Sequence, residues 1–335
     1  MRRRYADDYR GWPVAPRNRQ HPVRGSFMDP RRNENYHYGI DVAVRDDRPA
    51  RGAPRGRTHR VYAVEGGRVW HVARFRDQGN VRLGHFGYGH ILPVVELDEF
   101  VRPGQMIGWT TKGQWHVHLS EWFFPGGNID RRIKVNPLHR SGKIAPFHDD
   151  KPPVIHEIEF WAPAMPSWRT TQGRAVFPSD GILLNPAHLS GLVDIRARIE
   201  DAQPKKGWIR RIPILEVPHH PYRVHLKIVR LDDGKRIVDR DVFKAEVEYG
   251  PQGSPRIPMT HHFAPGTRQN LRPNTTMRLD RAGRGEFWFR LFSGPRNCYW
   301  NTRRVRNGRY RVRVRAWDVL GNRSTERVEV EVHNP

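Results

Sequence analysis

Cysteine, long apolar runs and acidic residues are all scarce in this chain of 335 residues. The single cysteine, Cys298, excludes an intrachain disulfide and any zinc site built on cysteines. No apolar run approaches the ~18 residues that span a membrane, so we expect no transmembrane segment. The opening MRRRYADDYRGWPVAP is basic but has no apolar stretch after it, which excludes a visible secretory signal peptide.

The shortage of acidic residues leaves a large positive charge. Lysine and arginine number 59 against 35 aspartates and glutamates, for a formal net charge of +24. Such a charge predicts attraction to a polyanion, and nucleic acid, an anionic bacterial wall or a membrane surface would all satisfy the same electrostatics. Because no helix-turn-helix, RNP-like or Cys/His finger pattern is present, we expect no specific nucleic-acid partner.

Helical periodicity is also hard to find, whereas short alternating stretches bounded by turn residues recur along the chain. In LVDIRARIE, Val193, Ile195, Ala197 and Ile199 alternate with polar residues, which is the period of a strand buried on one face. The sequence therefore predicts an all-β protein. VRLDDGKRIV predicts one hairpin, and NGRYRVRVRAWDVLGNRSTERVEVEV predicts another, with arginines and glutamates in cross-strand pairs.

Two proline-rich stretches suggest how the chain is divided. GWPVAPRNRQHPV is an extended lead-in, and APFHDDKPPVIHE separates a segment rich in histidine and glycine from an arginine-rich one. We therefore predict a basic N-terminal extension over residues 1–20, a first domain over 21–145, a linker over 146–155 and a second domain over 156–335. An irregular insertion is expected around residues 250–300 of the second domain.

The stretch GQWHVHLSEW has two histidines two residues apart. On a strand, His116 and His118 share one face, although packed and hydrogen-bonded histidines are the commoner explanation of such a pair. Upstream, RNENYHYGIDVAV has His37 and Asp41 four residues apart. Catalytic zinc sites keep three protein ligands of these types and one open position. His37, Asp41 and one of the two later histidines would supply that set.

Five short motifs occur in a fixed order: H-Y-G-I-D, V-Y-A-V-E-G-G-R-V, Y-G-H-I, V-R-P-G-Q-M-I-G and H-V-H-L-S-E. Over about residues 20 to 140 this series resembles the lysostaphin/LytM-type zinc metallopeptidases, peptidase family M23. The resemblance implies an antiparallel β-sheet domain in which His37, Asp41 and His118 bind Zn²⁺. It also implies that His116 is the general acid/base and that His90 positions water or stabilises charge in the transition state.

The same resemblance implies an activity and a cellular location. Family members usually hydrolyse stem peptides or cross-bridges of bacterial peptidoglycan, so we expect a zinc-dependent endopeptidase whose partners are peptidoglycan and anionic wall polymers. The alternative is a non-catalytic peptidoglycan-binding or scaffolding protein on the same fold. The expected substrate lies outside the cytoplasm, in the cell envelope or beyond it. The loop before the H-x-H strand is shorter than is usual in the family.

The last hairpin resembles the final two strands of immunoglobulin-like sandwiches in bacterial surface proteins. It shows G-x-Y-x-V-x-V-x-A-x-D-x-x-G-N from Gly308 to Asn322, with Tyr310 at the tyrosine-corner position. The resemblance implies an immunoglobulin-like β-sandwich after the first domain.

The remaining conspicuous side chains are expected to be structural. Surface positions are predicted for the four histidines in proline-rich, turn-like segments, His219, His220, His261 and His262. Trp115 and Trp122 flank the H-x-H strand and are expected to pack in the core, with a groove wall as the alternative. Asn136 is expected to close the first domain.

Overall fold

The structure is a computed structural model, and it describes most of the chain. The described residues are 10–31, 35–44, 49–76, 78–139, 142–163, 169–171, 174–176, 181–202, 218–248, 261–264, 266–267, 285–292 and 299–335. Strands dominate these residues, and the paired strands run antiparallel, so the all-β prediction is confirmed. Among the described residues, no helix has the length and apolar character needed to cross a membrane.

The first half of the chain forms the strands β1 to β12. In order they are β1 Val23–Gly25, β2 Pro30–Arg31, β3 Asn35–Tyr36, β4 Ile40–Ala43, β5 Arg57–Tyr62, β6 Gly67–Arg74, β7 Gly79–Leu83, β8 Phe86–Pro93, β9 Phe100–Val101, β10 Met106–Thr111, β11 His116–Phe123 and β12 Ile133–Val135. Short 3₁₀ helices at Pro125–Gly127 and Ile129–Arg131 join β11 to β12.

Ten of these strands form one sheet. Its main order is β1-β4-β11-β8-β7-β6-β9, with β12 beside β11, β10 beside β8, and β5 beside β10, while β2 and β3 pair separately. The central strand β11 lies between β4 and β8, so residues from three parts of the sequence meet there. Val117 and Leu119 of β11 point into the core and are fully buried, which leaves the opposite face for the alternate residues.

The second half of the chain forms β13 to β23. They are β13 Val154–Ala162, β14 Arg169–Thr171, β15 Arg174–Val176, β16 Ile182–Leu183, β17 Leu192–Glu200, β18 Arg223–Arg230, β19 Arg236–Lys244, β20 Trp288–Arg290, β21 Trp300–Asn301, β22 Gly308–Trp317 and β23 Arg323–Val332, with a 3₁₀ helix at Thr302–Arg304. One sheet has the order β16-β13-β17-β20 with β21 beside β17, another has the order β19-β18-β22-β23, and β14 pairs with β15.

Both predicted hairpins are present, as β18–β19 and β22–β23. Along β22, Tyr310 and the three alternate apolar residues after it are fully buried. The hydroxyl of Tyr310 donates to the carbonyl oxygen of Arg306 at 2.5 Å, which is the contact expected of a tyrosine corner. Arg311 pairs with Glu329 at 2.7 Å, but Arg313 lies opposite Arg327, so the cross-strand charges match only in part. The immunoglobulin-like assignment itself stays a prediction.

The first and second halves of the chain share one continuous apolar cluster. The histidines that were expected at the surface lie where the two halves meet. His219, His220, His261 and His262 are all buried, so that prediction is wrong. His219 Nε2 lies 2.7 Å from the carbonyl oxygen of Val23, and the Tyr36 hydroxyl lies 2.6 Å from His262 Nδ1. Turn-like sequence predicted surface positions for these rings, but it carried no information about the first half of the chain, which packs against them.

Three further expectations concern particular segments. Within the expected N-terminal extension, Trp12 and Val14 are buried, so this stretch packs against the domain that follows it. Asn136 is structural as expected, since its side chain donates to the carbonyl oxygen of Ala245 at 2.9 Å. Much of the range 250–300, predicted to be irregular, lies outside the described residues, although Trp288–Arg290 within it is a strand paired with β17. The predicted domain limits stay predictions.

Candidate metal centre

The candidate site lies on one face of β11, which we call the site face and define by His116, His118, Ser120 and Trp122. His118 lies directly opposite Asp41 of β4 on one side and Gly89 of β8 on the other. Directly opposed residues of an antiparallel pair project from the same face, so the pairing brings the Asp41 carboxylate beside the His118 ring. His37, just before β4, completes the group.

Three ligand atoms converge at this point. His37 Nε2 lies 2.9 Å from His118 Nδ1 and 3.0 Å from Asp41 Oδ1, and His118 Nδ1 lies 3.1 Å from the same oxygen. The three atoms form a nearly equilateral triangle. His37 and Asp41 are buried, and His118 is half-buried and open on one side.

The outer partners of the two rings fix which nitrogen carries the proton. His37 Nδ1 lies 2.8 Å from the carbonyl oxygen of Ser26, which can only accept, so this nitrogen donates and Nε2 keeps its lone pair. The Ser120 hydroxyl donates to the carbonyl oxygen of Tyr38 at 2.9 Å and accepts from His118 Nε2 at 3.0 Å. His118 Nδ1 therefore also keeps its lone pair.

Two nitrogen lone pairs and a carboxylate oxygen thus face one another across about 3 Å. Such an arrangement is repulsive unless a cation lies among the three atoms. The separations of 2.9 to 3.1 Å are close to the ~3.3 Å edge of a tetrahedron with metal–ligand bonds of about 2.0–2.1 Å. Two imidazoles and one carboxylate also match the donors of a three-ligand zinc site, so the residues present fit a zinc ion.

The carboxylate of Asp41 is held from behind. Its Oδ2 accepts from Arg31 Nη2 at 3.2 Å, and a Cβ at Gly25 would come within 2.6 Å of that oxygen. Burial raises the pKa of Asp41, but the imidazoles of His37, His116 and His118 around its carboxylate outweigh burial and hold that pKa well below its usual value. Asp41 is therefore ionised, as a metal ligand has to be.

His116 belongs to the site without being one of the three ligands. Its Nε2 lies 3.6 Å from Asp41 Oδ1, and its Nδ1 lies 2.5 Å from the carbonyl oxygen of Gln114 and 3.1 Å from Nη1 of Arg24. Burial lowers the pKa of His116 to about 3, with the charge of Asp41 opposing that shift. The ring is therefore neutral, with Nε2 on the Asp41 side of the site.

A β-bulge brings His90 to the site face. Regular alternation along β8 would put His90 on the side of Tyr88, whose ring is buried in the core. The register with β7 shifts at Gly79, and His90 has a positive φ of 61°, so the ring turns to the site face. Its centroid lies 4.6 Å from that of His116. Burial lowers the pKa of His90 to about 4.

All five residues singled out from the sequence therefore lie together, and their assigned roles stay predictions. The sequence did not single out the residues that hold them. Ser26, Arg31 and Ser120 are partners of the ligands, and Gly25 and Gly39 leave the space that the ligands fill. Ser120, two residues after His118, could have been predicted as a partner of that histidine, because alternate residues of a strand share a face.

A series of polar side chains connects Asp41 to the second half of the molecule. Arg31 Nη1 lies 3.6 Å from Asp29 Oδ2, and Asp29 Oδ1 lies 3.4 Å from His220 Nε2. Asp29 and His220 are buried. The second half of the chain therefore packs directly behind a candidate ligand, which no short motif could have indicated.

Comparison of the chain with protein-family models, with curated proteins and with solved structures finds no match. The chemistry of the site has to be inferred from its own residues.

Proposed function

We propose that the protein is a zinc-dependent endopeptidase that hydrolyses peptide bonds of bacterial peptidoglycan. The observation that carries the proposal is the convergence of His37 Nε2, Asp41 Oδ1 and His118 Nδ1, three acceptor atoms within 3.1 Å of one another, beside the neutral ring of His116. Three such ligands with a neighbouring base are the arrangement of catalytic zinc sites in hydrolases.

The bound zinc ion would supply Lewis-acid polarisation of the substrate carbonyl and a water of near-neutral pKa. His116 Nε2 is the base that takes a proton from water on the Asp41 side of the site and returns it to the leaving amine. His90, with its ring against that of His116, is close enough to stabilise negative charge that develops on the substrate oxygen. No side chain has to form a covalent intermediate.

Two properties of the chain support a bacterial wall as the target. The net charge of +24 favours an anionic polymer, and the peptide groups of peptidoglycan lie within such a polymer in the wall. The ordered motifs over residues 20 to 140 are those for which the resemblance implies peptidoglycan cleavage. His118 is open to one side of the sheet, so an extended peptide can approach the site from that side.

The test compares the wild type with His116→Ala and with the control His148→Ala, which changes an exposed histidine outside the site. Each protein is loaded with zinc, its metal content is measured, and soluble fragments released from purified peptidoglycan are analysed by mass spectrometry. We expect equal zinc in all three proteins, and at least about a hundredfold slower release by His116→Ala, since general acid–base catalysis contributes about 10²–10⁴-fold.

Two results would contradict the proposal. Equal release by the wild type and His116→Ala would remove His116 from the chemistry. Binding of zinc and of peptidoglycan without any released fragment would favour the alternative of a wall-binding or scaffolding protein.

A further inference from the structure

Trp122 lies beside the candidate metal centre, on the same face of the sheet. A Cβ at Gly89 would come within 3.3 Å of the His118 side chain, and a Cβ at Gly87 would overlap the ring of Trp122. Gly87 and Gly89 are two residues apart on β8 and therefore share a face. The indole and the imidazole thus cover neighbouring positions of the site face, about 7 Å apart at 3.3–3.4 Å per residue. Trp122 is buried, as expected, and its ring also covers part of the site face.

Two arginines stack on this tryptophan and on its neighbour. The guanidinium of Arg82 lies over both rings, 5.4 Å from the centroid of Trp122 and 5.5 Å from that of Trp70. The guanidinium of Arg132 lies 5.8 Å from the Trp70 centroid. The two indoles meet edge to face with centroids 5.8 Å apart. We call these four residues the arginine platform.

The charge of the platform is not compensated within the described part of the chain. Neither Arg82 nor Arg132 has a carboxylate partner among the described residues, and Arg132 Nη1 donates to the carbonyl oxygen of Ile129 at 3.3 Å. Burial and the charge of Arg132 lower the pKa of Arg82. Both arginines are half-buried, so their remaining N–H donors are held in place yet reachable from solvent.

One other arginine that stacks on a tryptophan has a carboxylate partner. Arg196 also stacks on a tryptophan, Trp161, but its Nε donates to the buried carboxylate of Asp194 at 2.9 Å. The two guanidiniums both lie over Trp70 and repel each other, and an anion that binds to both relieves that repulsion. The platform therefore has the composition of an anion-binding site.

We propose that the arginine platform is a substrate subsite that binds a free carboxylate of the peptide whose cleavage we propose above. The inference rests on that proposed function for the position of the scissile bond beside His118. An extended peptide advances about 3.3–3.4 Å per residue, and the platform begins at Trp122, about 7 Å from His118, so the carboxylate belongs to a residue two or more positions from the bond along the peptide. Peptides with free carboxylates are therefore the preferred substrates, and amidated ones are poor.

A binding experiment tests the subsite without requiring catalysis. Muropeptides released from peptidoglycan by a muramidase are used as prepared and after carbodiimide amidation of their carboxylates, and calorimetry measures their dissociation constants. The proteins are the wild type, Arg82→Gln, Arg132→Gln and the control Arg60→Gln, which removes an arginine stacked on Trp109 outside the platform. Unfolding of each protein in urea shows whether the substitutions alter stability.

We expect the wild type and Arg60→Gln to bind the native muropeptides at least about tenfold more tightly than the amidated ones, as a charge-assisted bidentate contact allows. Each platform variant should lose most of that preference. If a folded platform variant keeps the full preference, or if the wild type has none, the inference is overturned.

A cleavage experiment separates this inference from the proposed function. If the zinc-loaded wild type releases fragments at equal rates from native and amidated peptidoglycan, the subsite is wrong and the peptidase stands. If the wild type releases nothing while its binding still depends on carboxylates and on Arg82, the peptidase is wrong and the anion site stands.

Discussion

Replacing Ser120 by alanine should weaken zinc binding although Ser120 is not a ligand. Its hydroxyl accepts from His118 Nε2 at 3.0 Å and donates to the carbonyl oxygen of Tyr38 at 2.9 Å, so it sets the tautomer and the orientation of the ring. Loss of an outer partner of a ligand typically costs about 10–100-fold in metal affinity, which is about 1.4–2.7 kcal/mol. The carbonyl oxygen of Tyr38 also loses this hydrogen bond, at about 1 kcal/mol of stability.

The two costs can be separated with a control variant. Thr110→Val removes another buried hydroxyl, which lies 2.7 Å from that of Thr58 on a different pair of strands, so it should lower stability similarly and leave zinc affinity unchanged. Zinc dissociation constants are measured by competition with a chromophoric chelator, and stability by urea unfolding of the metal-free proteins. If Ser120→Ala binds zinc as tightly as the wild type does, Ser120 does not fix the His118 lone pair.

Three further predictions test other parts of the structure. Gly39→Ala should weaken zinc binding, because its Cβ would lie 2.6 Å from the His118 ring and the ring has to move; unchanged affinity in a chelator competition would contradict this. Burial, with the charges of Asp149 and Asp318, raises the pKa of Asp201 well above its usual value, so the folded state keeps that proton to higher pH than the unfolded state does. Between the unfolded pKa of about 3.9 and the folded value, the free energy of unfolding therefore falls as pH rises, by up to about 1.4 kcal/mol per pH unit. Asp201→Asn should remove this loss, so urea unfolding should show the variant level with the wild type near pH 4 and more stable than it at pH 8; parallel pH profiles would count against the buried acid. Tyr310→Phe should lower stability by about 1–3 kcal/mol because the hydroxyl of this fully buried side chain donates to a backbone carbonyl, and an unchanged urea midpoint would contradict the tyrosine corner.

The fold was predictable where the pattern was local. Alternation along β17 and β22 and the Asp-Gly turn after β18 specify strands and hairpins from their own residues, and the structure has them. The burial of His219, His220 and His262 was not predictable, because it depends on contacts between segments far apart in sequence. A turn-like stretch says where the chain bends but not what packs against it.

The candidate site also has some residues that the sequence predicted and others that only the folded chain brings into place. Asp41 and His118 were recognisable because their spacing and order fit a zinc site, and β4 and β11 do bring them together. The position of His90 depends on a bulge and a positive φ, neither of which follows from simple alternation. The support from Arg31 and from Ser26 comes through a loop and a short strand whose registers only the folded chain defines.

The ion pairs behind Asp41 suggest that both halves of the chain contribute to the site. Arg31 contacts Asp41 and Asp29, and Asp29 is next to the buried ring of His220. Because Asp29 and Asp41 are buried, removal of Arg31 leaves two uncompensated carboxylates beside the candidate metal centre. The second half therefore belongs to the structural support of the site, whatever else it binds.

The most direct test of the central claim is the zinc content of five single alanine variants after dialysis against zinc and removal of the excess. His37→Ala, Asp41→Ala and His118→Ala each remove one of the three converging atoms, and we predict that they lose the one zinc ion per chain that the wild type holds. His116→Ala and His90→Ala leave the triangle intact and should retain the metal. Full zinc content in any of the first three, or its loss in His116→Ala, would contradict the assignment of the ligands.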